Sequence, residues 1–103
     1  DDIVLGVENI LSNPPAEMET GARYKVYNIG NNKPESLMYF IQTLEKCLGR
    51  KAEKQFLPMQ PGDVYQTYAD VTELMRDFDF KPSTSIEIGL AKFVEWFKEY
   101  YGL

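Results

Sequence analysis

At 103 residues the chain makes one small domain at most, and folding would bury roughly 65% of the unfolded surface, enough for one modest core. A composition of 44% hydrophobic and 26% charged residues, with 7 Gly and 6 Pro spread along the chain, excludes collagenous, low-complexity and disordered classes. Eleven Lys and Arg against sixteen Asp and Glu give a formal net charge of -5, so no basic stripe exists to displace phosphate counterions, and nucleic acid is not an expected partner.

Ile3, Val4, Val7, Ile10 and Leu11 keep to one helix face. Pro14 ends that helix at Asn13, because the residue before proline avoids the α region. A polar loop over 14–22 leads to residues 23–29, whose β-formers predict a strand that stops at Gly30, Asn31 and Asn32. Leu37, Met38, Ile41, Leu44 and Leu48 predict a second helix, opening at Pro34 and Glu35 and closing at Gly49. A charged connection over 50–54 follows, then a brief strand at 55–57, a turn over 58–63 and a second short strand at 64–69. Asp70 and Glu73 have capping-box spacing ahead of Leu74, Met75 and Phe78, which predicts a short third helix. Thr84 and Glu87 repeat that spacing, and Ile86, Leu90, Phe93, Phe97 and Tyr100 form the stripe of a terminal helix running to about Tyr101. The order α-β-α-β-β-α-α is a mixed α/β class in which the first strand, set between helices, needs sheet neighbours on both sides. The sequence does not supply them. The chain lacks an initiator Met and opens on a helical pattern, so a piece of a longer protein is expected.

The usual chemistry is missing. Cys47 is the one cysteine, so no intramolecular disulfide forms, and without histidine the common acid-base group and metal ligand is absent. A reducing, cytoplasmic setting is expected, since no apolar run approaches about 18 residues and Asp1 and Asp2 begin no signal peptide. Cys47 lies beside Leu44 and Leu48 and reads as a core thiol rather than a nucleophile. No two glycines fall close enough for a dinucleotide or phosphate loop. No tyrosine has a lysine four residues on. Asp1, Asp2, Glu17 and Glu19 read as solvated carboxylates without a role. The aromatic set Phe93, Trp96, Phe97, Tyr100 and Tyr101 reads as a packing face. The turn is the exception: two prolines and a glycine around Gln60 and Asp63 leave an amide and a carboxylate on a pre-shaped surface. Either a plain turn or a contact for a hydroxyl-rich ligand such as a ribose fits that pattern.

Five segments carry a resemblance: DDIVLGV at 1–7, YNIG at 27–30, PMQPGDV at 58–64, TYAD at 67–70 and EIGLAKFVEW at 87–96. In order and spacing they resemble the C-terminal third of NAD-dependent nucleotide-sugar epimerases of the extended short-chain dehydrogenase/reductase superfamily, in particular the UDP-glucuronate 4-epimerases. The resemblance covers essentially the whole chain. It implies that residues 1–49 are the last helix-strand-helix of a Rossmann part and 50–103 a lobe closing over a UDP-sugar. An upstream Rossmann domain would carry the NAD loop and the catalytic Tyr-x-x-x-Lys pair, which takes the 4-hydroxyl proton while hydride passes to NAD. No catalytic, cofactor-binding or metal-binding residue is therefore expected within this chain. In the family's commoner Arg-x-Gly-Asp pattern, arginine and aspartate hold phosphate and ribose. Asp63 matches it, whereas Gln60 stands where the arginine usually is, so the diphosphate contact passes to an upstream arginine.

The implied function is the UDP-sugar-binding part of an NAD-dependent 4-epimerase, inactive and free of NAD by itself. A free-standing acidic interaction domain and a fragment of a nucleotide-sugar decarboxylase or dehydratase are the alternatives. Its expected partner is the missing Rossmann domain, with self-association through 23–29 or local rearrangement as the substitute.

Overall fold

The computed structural model describes residues 1–103. It contains four helices: α1 (Asp2–Ser12), α2 (Leu37–Leu48), α3 (Thr72–Phe78) and α4 (Ile86–Tyr101). They belong to two compact units, each assembled from two separated stretches of chain.

The first unit comprises 1–34 and 67–83. Here α1 packs on α3. Val71, Leu74 and Phe80 are almost completely buried and form the core. Gly6 is the buried position of α1 because Ile29 and Phe80 press against it: a Cβ there would overlap Ile29 and stand 3.3 Å from Phe80 Cε2. α1 stops where expected, with the Asn13 N–H donating to the Ile10 carbonyl at 3.2 Å.

The second unit comprises 35–66 and 84–103. α2 packs on α4, burying Thr43, Leu90 and Val94. Inside α2 the Thr43 hydroxyl bonds back to the Tyr39 carbonyl at 2.8 Å, so a polar residue is buried with its donor satisfied. Gly49 ends α2 in the left-handed conformation. α4 ends in a Schellman motif, with Leu103 N–H donating to the Lys98 carbonyl at 2.8 Å and Gly102 N–H to Glu99 at 3.2 Å.

Several sequence expectations are corrected. The order α-β-α-β-β-α-α becomes four helices, because 23–29, 55–57 and 64–69 take no strand conformation. A strand exists only by exchanging ladder hydrogen bonds, and no neighbour offers them here. The alternation of 23–29 nevertheless survives: Lys25, Tyr27 and Ile29 make contacts within the unit, while Tyr24 and Val26 are exposed. α2 starts at Leu37 rather than at Pro34, since Ser36 Oγ caps it by accepting from Tyr39 N–H at 3.1 Å. Before α3, Asp70 accepts from the Thr72 N–H at 3.1 Å and hydroxyl at 2.6 Å, in place of the expected capping box. α4 is capped by Ser85, one residue after Thr84. Cys47 is half-buried instead of core. The buried line of α4 runs through Leu90 and Val94, leaving Phe93, Trp96, Tyr100 and Tyr101 exposed where a packing face was expected.

Candidate functional site

The 58–63 turn belongs to the second unit. The Asp63 N–H donates to the Gln60 carbonyl at 3.2 Å, closing a four-residue turn. Pro61 holds its second position and Gly62 its third, at a φ of +97°. That is the pattern of a type II turn, whose third residue must adopt a positive φ and is best served by glycine. Gln60 and Asp63 therefore stand at the two ends of one rigid turn. Both are exposed, and neither side chain has a hydrogen-bond partner within the chain. An amide with two donors and a carboxylate with two acceptor oxygens are thus presented together. Asp63 engages the turn through its backbone alone, so its carboxylate is spare.

The polar groups of the first unit behave differently. Asp77 accepts from Arg76 Nε at 2.7 Å, from the Tyr27 hydroxyl at 2.7 Å and from Lys25 Nζ. The hydrogen bonds from Arg76, Lys25 and Tyr27, in that order of effect, hold its carboxyl far below the usual carboxylate range. The same contacts raise Lys25 and Arg76 above their ordinary values, Asp77 being the main cause in both. Tyr27 is raised, first by burial and then by Asp77, and its ring meets Phe78 edge-on at 5.2 Å. This network escapes a sequence reading because Tyr27 and Asp77 are 50 residues apart. With both oxygens of Asp77 committed, it ties 25–27 to α3 rather than offering a group to a ligand.

In the second unit a cleft of about 460 Å³ is lined by Tyr39, Gln42, Thr43, Lys46, Cys47 and Glu87. The Tyr39 hydroxyl donates to Glu87, which raises the tyrosine above its ordinary value. Gln60 and Asp63 do not line this cleft. The glycines make no dinucleotide cradle: Gly6 and Gly30 are closed off by Ile29 and Ala69 side chains, and Gly49 and Gly102 end helices. These glycines therefore offer no close backbone approach to the phosphates of a dinucleotide.

No family model matches the chain. Protein CapI of Staphylococcus aureus is 46% identical over 98% of this chain and 34% of its own length. A probable UDP-glucuronate 4-epimerase of Rhizobium meliloti is 38% identical over 98% of the chain and 33% of its own. The chain belongs to the nucleotide-sugar epimerase family. It is homologous to the C-terminal part of UDP-glucuronate 4-epimerases and spans about a third of the length of these relatives. UDP-glucuronic acid 4-epimerase of Bacillus cereus, crystallised with UDP-glucuronic acid and NAD, is 31% identical with a TM-score of 0.77. The match covers 98% of this chain and 31% of that one, so the chain shares the fold of the corresponding part of that epimerase. No helix is long and apolar enough to cross a membrane.

Proposed function

We propose that this epimerase homologue contributes the nucleotide-sugar contact of an NAD-dependent UDP-sugar 4-epimerase, with UDP-glucuronate as the substrate. The observation that carries the reading is the pair of unpartnered side chains, Gln60 and Asp63, at the two ends of a rigid turn. Asp63 accepts hydrogen bonds from ribose hydroxyls. Gln60 donates its amide N–H to an oxygen of the nucleotide, a neutral contact weaker than the bidentate one an arginine would make. NAD supplies hydride transfer at a site outside these 103 residues, where the proton-transferring pair also belongs. The chain by itself neither epimerises nor binds NAD. A type II turn already organised before the ligand arrives gives up little conformational freedom on binding.

The test is Asp63→Ala in the full-length epimerase carrying this sequence. A charged hydrogen bond lost from a closed site should weaken UDP-sugar use by about one to two powers of ten, with NAD content and melting temperature unchanged. Gln60→Ala should cost less. A lowered melting temperature with a normal Michaelis constant would make the turn structural and defeat the assignment.

A further inference from the structure

We infer that the open aromatic stripe of α4 is a self-pairing surface: two copies of this chain join through antiparallel α4 helices. Phe93, Trp96 and Tyr100 follow at i, i+3 and i+7, the spacing of a single helical seam. They are 48%, 53% and 68% exposed, whereas Leu90 and Val94 of the same helix are buried against α2. The seam is already ordered. Phe93 and Trp96 rings lie 5.8 Å apart, and Trp96 stacks on Tyr100 at 5.4 Å, so these side chains surrender little further freedom on contact.

The charges beside the seam select the occupant. Lys92 and Glu99 are seven residues apart and flank the seam on one edge. A two-fold axis crossing midway between residues 95 and 96 sets Lys92 of one copy opposite the partner's Glu99, and Glu99 opposite the partner's Lys92. The same axis sets Phe93 midway along the helix between the partner's Trp96 and the partner's Tyr100, so each phenyl ring enters a gap of the facing row. In a parallel pair the edge that carries Lys92 and Glu99 would face the partner's opposite edge, so this charge match exists only when the two helices run in opposite directions. One register therefore satisfies both the rings and the charges. Lys92 already has an interaction within its own chain, and an ammonium group with three N–H donors can keep it while adding one across the pair. A seam on a single 16-residue helix is small, so the pairing is weak and reversible.

The chain has one tryptophan, so Trp96 reports on this face directly. Sedimentation equilibrium on the 103-residue chain from about 1 μM to about 1 mM, the range of weak interfaces, should show the mass rising toward two copies while tryptophan emission shifts blue on the same isotherm. Lys92→Glu should weaken pairing by about five- to tenfold, the effect of two symmetry-related like-charge contacts, and Lys92→Glu with Glu99→Lys should restore it. Trp96→Ala should abolish pairing with helicity by circular dichroism retained. A single-copy mass throughout, a dimer indifferent to the charge swap, or tryptophan emission already shielded at the lowest concentration would each overturn the inference.

Discussion

Asp77 of the first unit and the 58–63 turn of the second use their polar groups in opposite ways. In the first, the carboxylate of Asp77 takes three donors from its own unit, and the core of Val71, Leu74 and Phe80 is closed. In the second, the turn holding Gln60 and Asp63 leaves both side chains without partners, and α4 carries an uncovered aromatic row. A strongly shifted carboxyl is a common pointer to a functional site, yet here the shifted group is the structural one. Free hydrogen-bonding capacity lies instead with the side chains of Gln60 and Asp63.

The sharpest way to break that contrast is through the first unit's core. Phe80→Ala removes a side chain that is 1% exposed, and the resulting cavity should cost about 3–5 kcal/mol in urea unfolding. Asp63→Ala should leave the same unfolding curve in place. Comparable losses from both would erase the distinction between a built core and a presenting turn. Gly6→Ala probes the contact of α1 with Ile29 and Phe80 from the opposite direction, by overfilling. Its Cβ has no room beside Ile29, so a loss of about 1–3 kcal/mol is expected. A neutral or stabilising effect, as helix propensity alone would give, would show that Ile29 moves aside freely.

How much of this was legible depended on how far apart the partners are in sequence. α1, α2 and α4 were legible because helical periodicity, Pro14 and Gly49 act within a few residues. The turn was legible for the same reason, through Pro61 and Gly62. The strands were not, since β-forming composition in 23–29 states a preference that only a neighbouring strand can realise. Phe80 gave no signal either: it follows Asp79, which ends α3 with a φ of 51°, and so falls outside any periodic stretch. On α4 an apolar stripe wider than its contact with α2 made it impossible to tell Val94 from Phe93 as the buried member.

The smallest expected effect sharpens the contrast through pH. Asp77 in the first unit and Glu45 in the second are both held below the ordinary carboxylate value. Asp77 is held there by Arg76, Lys25 and Tyr27, and Glu45 by Lys54 and then by the Ala52 N–H at 2.8 Å. A carboxyl whose folded pKa is depressed stabilises the protein fully above its unfolded value, about 3.9 for aspartate and 4.3 for glutamate. Below that, the unfolded chain takes up a proton that the folded chain still refuses, so stability falls as the pH drops toward the folded value. The melting temperature should therefore decline between about pH 5 and pH 3, and each neutral variant should make that decline shallower. Asp77→Asn should flatten it more than Glu45→Gln, because Asp77 carries three side-chain donors against one side-chain and one backbone donor at Glu45. Both variants should also lower the melting temperature at pH 7, only slightly, since surface pairs are screened by solvent and salt. Equal slopes for the two variants would mean that the denser network of the first unit adds nothing that a single lysine clamp does not.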